Sequence, residues 1–240
     1  MTALDKPYDL TRDLKALGKQ CRYMAKAIKV AGVPGPRLSQ PGFAPLVRII
    51  AGQQVSVSAA AGIWAKLERN CGGKVTAKAV LGLGEPGLRA SGFSGQKSRY
   101  ALGLAEAAAS GALDFKALHA GDNETVRETL TSYKGVGNWT ADIYLMFCMG
   151  RGDVWPAADL GLQAGIQLLR GLKKRPNAKQ GEAIAEIWRP YRSSAAIMLW
   201  HYYGFARAAD KSPLAEKRTA RKKAAKKKPK AKAKPKTRRK

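Results

Sequence analysis

Cysteine and histidine are scarce in this sequence, and the shortage argues against several kinds of site. The 240 residues include three cysteines, Cys21, Cys71 and Cys148, which lie far apart and form no C-x-x-C pair. A structural zinc site or an iron–sulfur cluster is therefore not indicated. The two histidines, His119 and His201, are isolated from other candidate metal ligands. We therefore expect no metal centre built from side chains.

Long apolar runs are also missing. No stretch approaches the roughly 20 apolar residues that a transmembrane helix needs. Polar residues interrupt the N-terminus where a signal peptide would carry its apolar segment. The odd number of dispersed thiols fits a reducing compartment. These absences predict a soluble intracellular protein, which is not secreted and does not enter a membrane.

Acidic residues are few beside basic ones. The 17 Asp and Glu against 44 Lys and Arg leave a formal net charge of +27. Residues 211–240 hold 16 basic residues and one acid, while residues 1–210 hold 28 basic residues and 16 acids, so each part is basic by itself. This excess predicts a polyanionic partner, either nucleic acid or an anionic membrane surface. The lack of apolar anchors disfavours the membrane.

A change of amino-acid composition predicts a domain boundary near residue 210. From Lys211 onward, Lys, Ala and Pro alternate without apolar residues to bury, so we expect 211–240 to be a disordered tail. Its basic side chains would contact phosphates independently of sequence, or would only keep the protein soluble. The chain is 45% hydrophobic, which allows 1–210 to bury a sizeable core in one or two lobes.

Helical periodicity is widespread in 1–210 and strand signals are scarce. Roughly ten helices joined by short glycine-containing turns predict an all-α domain. The helix over 46–69 has the clearest apolar stripe, and Asn123 looks like an N-cap. The other predicted helices cover 9–30, 76–84, 96–110, 114–119, 123–135, 139–149, 159–171 and 177–203, the last interrupted by Pro190.

The first informative motif is LTSYKGVGNWTA at 130–141. Gly135 and Gly137 flank one aliphatic residue between two predicted helices, which predicts a tight helical hairpin. Such a turn lets a phosphate approach the backbone closely. The next helix would then aim unpaired N–H groups and its positive dipole end at that phosphate. Taken alone, the motif fits a plain helix–helix turn as well.

The second motif is DVWPAADL at 153–160, where Asp159 begins a predicted helix after a proline-containing loop. As an N-cap, Asp159 would accept hydrogen bonds from the first amides of that helix. Its carboxylate could stabilise positive charge that develops during a reaction, or could orient an attacking water. The alternative is a purely structural N-cap. We interpret Asp153, the nearest other carboxylate, as a loop residue.

Together the two motifs resemble the helix-hairpin-helix (HhH-GPD) DNA glycosylase superfamily, in which a Gly/Pro-rich loop and a catalytic aspartate follow the hairpin. Within it, the sequence looks most like the 3-methyladenine DNA glycosylase II family. IIAGQQVS at 49–56, GFSGQK at 92–97 and WRPYRS at 188–193 are also similar to that family. Lys134 departs from the proline that commonly precedes the hairpin.

The resemblance implies two helical lobes with a DNA-binding cleft, in a monomeric enzyme that acts on double-stranded DNA. It implies that the damaged nucleotide is flipped out and that Asp159 assists hydrolysis of the N-glycosidic bond of an alkylated base. Members that also cut the strand carry a lysine at the position of Trp139. Because tryptophan cannot form a Schiff base, we expect a monofunctional glycosylase without lyase activity.

The same resemblance suggests which residues line the base pocket and contact DNA. Trp139 and Trp200 match aromatic pocket positions, with Tyr144 and Trp155 as weaker candidates; electron-rich rings suit a cationic base, although core packing would also explain them. The candidate DNA contacts are Gly135, Val136, Gly137 and Thr140 of the hairpin, Gln53, Gln54, Lys97 and Arg99.

Several alternatives stay open at this point. Either Gln53 or Gln54 would fill the gap left by the flipped base, or both would cap backbone groups inside the fold. Lys97 and Arg99 would contact phosphate or would be solvated surface charge. The hairpin carbonyls would bind a monovalent cation, as in similar proteins. Rival functions are a glycosylase for oxidised, deaminated or mismatched bases and a non-catalytic, chromatin-like DNA-binding protein.

Overall fold

The computed structural model describes residues 7–210, and these form twelve α-helices without a β-strand. A short 3₁₀ turn covers Glu186–Trp188. The helices are α1 (Leu10–Gln20), α2 (Arg22–Ala31), α3 (Phe43–Gly52), α4 (Val57–Asn70), α5 (Ala77–Ala90), α6 (Gly95–Ser110), α7 (Phe115–Ala120), α8 (Asn123–Thr131), α9 (Asn138–Phe147), α10 (Leu160–Arg170), α11 (Ala178–Ala185) and α12 (Arg192–Asp210). The prediction of an all-α fold is confirmed.

Two of the predicted helices are each divided in two. The helix predicted over 9–30 breaks at Cys21, whose backbone is extended (φ −140°, ψ 114°). The helix predicted over 46–69 breaks after Gly52, and Ser56 then caps α4 by accepting the N–H of Ala59 at 3.2 Å. Apolar periodicity persists through such short breaks, because the residues on either side still face a core.

The helices pack around two apolar cores. The first core is built mainly from α1, α2 and α7–α12, and the second mainly from α4, α5 and α6. Helix α3 belongs to both, since Leu46 and Ile50 face the first core while Val47 and Ala51 face the second. The two predicted lobes therefore correspond to two cores that share α3 and α6.

The loop before α10 is anchored by a buried carboxylate. Asp153 is 3% exposed and accepts hydrogen bonds from Arg192 Nε at 2.8 Å and Arg189 Nη1 at 2.7 Å. Ser193 Oγ donates to the carbonyl of Arg151 at 2.6 Å and accepts the N–H of Val154 at 3.0 Å. Asp153 and its partners are therefore structural, and they hold the loop that presents Asp159.

The end of the described chain bears on two predictions. Helix α12 continues to Asp210, seven residues past the predicted end at Tyr203. The predicted tail, 211–240, lies outside the described residues, so the division of the chain at 210 stays a prediction. Within 7–210, no helix combines the length and apolar character needed to cross a membrane.

Candidate active site

Asp159 caps α10, as the sequence predicts, and its carboxylate accepts three hydrogen bonds. Oδ1 accepts the backbone N–H of Leu162 at 2.7 Å and the indole N–H of Trp200 at 2.9 Å. Oδ2 accepts the indole N–H of Trp139 at 2.9 Å. The side chain is only partly buried. Helices α9, α10 and α12 thus converge on one carboxylate.

These bonds leave the carboxylate with one acceptor position unused by the described residues. A carboxylate offers about four lone-pair positions, two on each oxygen. Two donors occupy Oδ1 and one occupies Oδ2. The remaining position, on Oδ2, can accept a hydrogen bond from a water molecule or face a developing positive charge.

Gly161 makes room for this arrangement. A Cβ atom at residue 161 would lie 3.0 Å from Oδ1 of Asp159 and 3.3 Å from the indole ring of Trp200. The neighbouring Phe147 ring packs on Trp200 with its centroid 5.8 Å away. Sequence reasoning missed both residues. Gly161 itself was the available signal, because glycine disfavours a helix and its place two positions after the N-cap indicates close packing there.

Of the four predicted pocket aromatics, the structure brings Trp139 and Trp200 together. Both are partly exposed, and each uses its N–H to hold Asp159. The prediction gave them only a stacking role. Their rings are nevertheless placed beside the carboxylate, where a planar cation could pack on them.

Tyr144 and Trp155 both belong to the first core, and Tyr144 is corrected from a pocket residue to a core residue. Tyr144 is fully buried; its hydroxyl accepts the N–H of Gly42 at 2.9 Å and hydrogen-bonds His119 Nε2 at 3.0 Å, and burial raises its pKa. Trp155 is 7% exposed, with its ring centroid 5.5 Å from that of Trp188. Trp155 also borders a charged cavity of about 560 Å³ that Trp139 lines, so its place in a base pocket stays a prediction.

The hairpin before α9 leaves backbone donors unpaired. Gly137 is the N-cap residue of α9, and no side chain caps this helix end. The first hydrogen bond inside the helix runs from Ala141 N–H to the carbonyl of Gly137 at 3.0 Å. The N–H groups of residues 138–140 therefore lack partners among residues 7–210, and they point outward at the positive end of the helix dipole. An anion would be stabilised here.

Gly135 is required by both its conformation and its surroundings. Its φ of 88° lies in the left-handed region, which residues with a Cβ avoid. A Cβ at this position would also lie only 2.2 Å from the ring of Tyr100 on α6. Tyr100, which sequence reasoning did not select, therefore packs directly on the hairpin backbone.

Most of the predicted DNA contacts lie around one cavity beside the hairpin. Its volume is about 470 Å³. Six of its lining residues have polar side chains, and they lie on α6, at the N-cap of α6 and just after α3. The full lining is Gln53, Gln54, Ser94, Gln96, Lys97, Tyr100, Gly135, Val136 and Gly137.

The structure separates the two glutamines. Gln53 Nε2 donates to the carbonyl of Gly135 at 2.9 Å and to Oγ1 of Thr140 at 3.0 Å, so its amide is committed to the fold. Gln54 is exposed and has no side-chain hydrogen bond to a described residue. Its φ of 55° is the one positive value at a non-glycine position in 7–210, a conformation that costs about 1 kcal/mol or more.

The structure limits how three predicted DNA contacts could act. Thr140 is 2% exposed and Val136 is 4% exposed, so neither side chain reaches the surface, and any contact of these two residues with DNA stays a prediction for their backbone. Lys97 Nζ donates to the carbonyls of Ala51 at 2.9 Å and Gln53 at 2.6 Å, and partial burial lowers its pKa. Lys97 is thus neither solvated surface charge nor a freely directed phosphate ligand.

Arg99 and the monovalent cation stay predictions. Arg99 is exposed on α6 and borders a groove with Tyr133 and Lys134. Among the hairpin carbonyls, Tyr133 accepts the N–H of Val136 and Gly135 accepts the amide of Gln53. A carbonyl has two lone pairs, so each of these oxygens keeps one position with which to bind a cation.

The sequence of this chain is similar to a family of known proteins and to several of its members. Residues 47–190 match the profile of the HhH-GPD superfamily of base excision DNA repair proteins. The chain is 33% identical to DNA-3-methyladenine glycosylase 1 of Schizosaccharomyces pombe over 181 residues, which are 73% of this chain and 79% of that protein. It is 29% identical to DNA-3-methyladenine glycosylase 2 of Escherichia coli, over 72% of this chain and 64% of that protein.

Solved structures show the same likeness. The 3-methyladenine DNA glycosylase of Schizosaccharomyces pombe in complex with abasic DNA has a TM-score of 0.74 and 30% identity, covering 79% of this chain and 95% of that one. The DNA-3-methyladenine glycosidase of Bacillus halodurans has a TM-score of 0.69 and 33% identity, covering 81% and 91%. The family match over residues 47–190 includes the hairpin and Asp159.

Proposed function

Because the chain belongs to the HhH-GPD superfamily of base excision DNA repair proteins, we propose that it removes alkylated bases such as 3-methyladenine from double-stranded DNA. The reaction is hydrolysis of the N-glycosidic bond, which leaves an abasic site. The observation that carries the proposal is the partly exposed carboxylate of Asp159, held by the two indole N–H groups of Trp139 and Trp200.

In the proposed reaction, Asp159 stabilises the sugar as the base departs. The bond to the base breaks with its electron pair leaving on the base, and the sugar gains oxocarbenium character. A fixed negative charge close to that sugar lowers the barrier, because it is already oriented when the positive charge develops. The unused acceptor position on Oδ2 also allows Asp159 to orient the water that attacks the sugar.

Base selection is assigned to the aromatic rings beside Asp159. The damaged nucleotide must leave the duplex before its glycosidic bond can be reached. A methylated purine of the 3-methyladenine type is electron-poor or cationic, so its ring is attracted to the electron-rich faces of Trp139 and Trp200. Gln54, rather than Gln53, is the residue proposed to fill the gap, because its amide is exposed and unpaired.

DNA binding is assigned mainly to phosphate contacts. The unpaired N–H groups at the start of α9 suit one phosphate, and Trp139 lies in the same helical turn. A phosphate bound there would hold the strand that carries the damage near Asp159. The 44 basic residues of the chain predict strong, salt-dependent affinity.

The proposed function also places the protein in the compartment that contains the DNA. On this proposal it works on cellular DNA, in a bacterial nucleoid or in a nucleus, and it binds DNA as a monomer. It requires water and no organic cofactor.

Methylated duplex DNA provides the test of this function. DNA treated with a methylating agent is incubated with the protein, and free bases and strand breaks are scored separately. Release of methylated purines, with breaks appearing only after alkali, is the expected result, because Trp139 cannot form the imine that strand cleavage by a lyase needs. Tight binding without base release would support a non-catalytic DNA-binding protein instead.

A further inference from the structure

Two side chains connect the second core to the hairpin through the end of α3. Lys97 Nζ, on α6, donates to the carbonyls of Ala51 at 2.9 Å and Gln53 at 2.6 Å. The Gln53 amide in turn donates to the carbonyl of Gly135 at 2.9 Å and to Thr140 Oγ1 at 3.0 Å. These four bonds form a continuous path from α6 to α9, which we call the Lys97–Gln53 bridge.

The Lys97–Gln53 bridge supplies hydrogen-bond donors to carbonyls at the C-terminal end of α3. The last carbonyls of a helix have no partner within it, and a cation near them is favourable. Ala51 is 1% exposed, so its carbonyl has little access to water. Lys97 satisfies this carbonyl and that of the C-cap residue Gln53 together.

The bridge also fixes the backbone from which Gln54 projects. The carbonyl of Gln53, which accepts the shortest of the four bonds, belongs to the peptide group that continues into Gln54. Gln54 has the left-handed φ of 55°, a conformation that persists only where its surroundings hold it. Its side chain is exposed beside the cavity that the hairpin also lines.

We propose that Lys97 and Gln53 are positioning residues that set Gln54 at a fixed height over the hairpin, so that its amide enters the duplex as the damaged nucleotide leaves. This rests on the proposed function. The bridge serves extrusion of the nucleotide, and the bond-breaking step does not depend on it. Lys97 therefore acts through Gln54 and does not act as a phosphate ligand.

The first test is a double-mutant cycle. Lys97→Met removes the donors but keeps the aliphatic stem, and Gln54→Gly removes the amide while allowing a positive φ. Single-turnover release of a methylated base from fully paired duplex should fall about tenfold for each variant. Lys97→Met loses the hydrogen bonds of a charged donor, and Gln54→Gly loses the gap-filling amide. The double variant should be no slower than Gln54→Gly alone, because Lys97 would have nothing left to position.

A second substrate separates positioning from a general loss of stability. When the damaged base lies opposite an abasic site, the nucleotide flips more easily, so the Lys97→Met defect should shrink to within about twofold. Gln53→Met should show the same pattern, and Lys97→Arg, which retains two directed donors, should recover most of the rate. Equal defects on both substrates would mean that the bridge only supports the fold.

Arg99→Met is the matched control for charge. Arg99 lies two residues further along α6 and has no hydrogen bond to another described residue. If Arg99 contacts phosphate, its loss should reduce the slope of log affinity against log salt by about one. Lys97→Met should leave that slope unchanged, and a loss of about one in the Lys97 variant would overturn the proposal.

The readouts also separate failure of the bridge from failure of the proposed function. If the unaltered protein releases no base, the proposed function is wrong. The double-mutant cycle can then be measured by the fluorescence of 2-aminopurine placed beside the damaged base, which reports unstacking of the duplex. Multiplicative losses for Lys97→Met and Gln54→Gly in either readout would show that the residues act independently and would reject the bridge.

Discussion

Among single residues, Asp159 depends most on its neighbours, because three hydrogen bonds fix the orientation of its carboxylate. Removing an indole N–H while keeping an aromatic ring tests the orientation of the carboxylate. Trp200→Phe should lower single-turnover base release by about ten- to a hundredfold, the usual worth of a hydrogen bond to a charged group. Affinity for undamaged duplex should be unchanged, because the proposed phosphate contacts are at the start of α9 and do not involve Trp200. An unaltered rate would show that Trp200 serves packing alone.

Gly161 offers an independent test of the same geometry. Gly161→Ala places a methyl group 3.0 Å from Asp159 Oδ1 and 3.3 Å from the Trp200 ring, so the carboxylate or the ring must move. Alanine favours a helix over glycine by about 1 kcal/mol, so thermal unfolding should not show a large loss. We expect slower base release from a well-folded protein. Gly165→Ala, in the same helix but against the Leu199 backbone, should instead lower stability.

At the scale of elements, the hairpin should be intolerant of a side chain at Gly135. Gly135→Ala introduces both an unfavourable positive φ and a clash with Tyr100. The free energy of unfolding should fall by about 1 kcal/mol or more, and affinity for duplex DNA should fall as the turn shifts. Gly137→Ala is the matched control, since its φ is −96° and no atom lies within 4 Å of the added Cβ. Equal affinities for the two variants would contradict this assignment.

Short-range signals were sufficient to predict some elements and not others. The N-cap at Asp159 depends on nearest neighbours, so the sequence predicts it and the structure confirms it. The division at Gln53–Ser56 was missed because apolar residues continue on both sides. Asp122, rather than Asn123, caps α8 by accepting the N–H of Thr125 at 2.8 Å; adjacent residues of similar capping preference are not separable by propensity.

Residue type alone also could not sort the aromatic and amide side chains of the site. Trp139 and Tyr144 are both large aromatics on α9, and only the packing of α9 against its neighbours decides which ring faces outward. Gln53 and Gln54 differ by one residue, yet one amide is fixed to the hairpin and the other is exposed. The two residues also differ in backbone conformation, since Gln54 has a left-handed φ of 55° that nothing in the local sequence requires.

At the scale of the whole molecule, charge is divided between the helical part and the basic C-terminal segment. Removing 211–240 deletes 16 basic residues and one acid. The truncated chain should bind duplex less tightly, with a markedly smaller salt dependence. Single-turnover release at saturating protein should be unchanged, because Asp159 and the hairpin remain. Electrophoretic mobility shifts at several salt concentrations would check this, and a rate loss at saturation would assign the segment a role in catalysis.

In the proposed reaction, the carboxylate of Asp159 stabilises the sugar of an extruded nucleotide. Single-turnover release of methylated base should be compared for Asp159→Asn and Asp114→Asn, the second of which alters an exposed N-cap of the same type on α7. Asp159→Asn should lose about a hundredfold or more of the rate and retain its affinity for duplex DNA, while Asp114→Asn should have a normal rate. If the Asp159→Asn protein is fully active, Asp159 does not have this role.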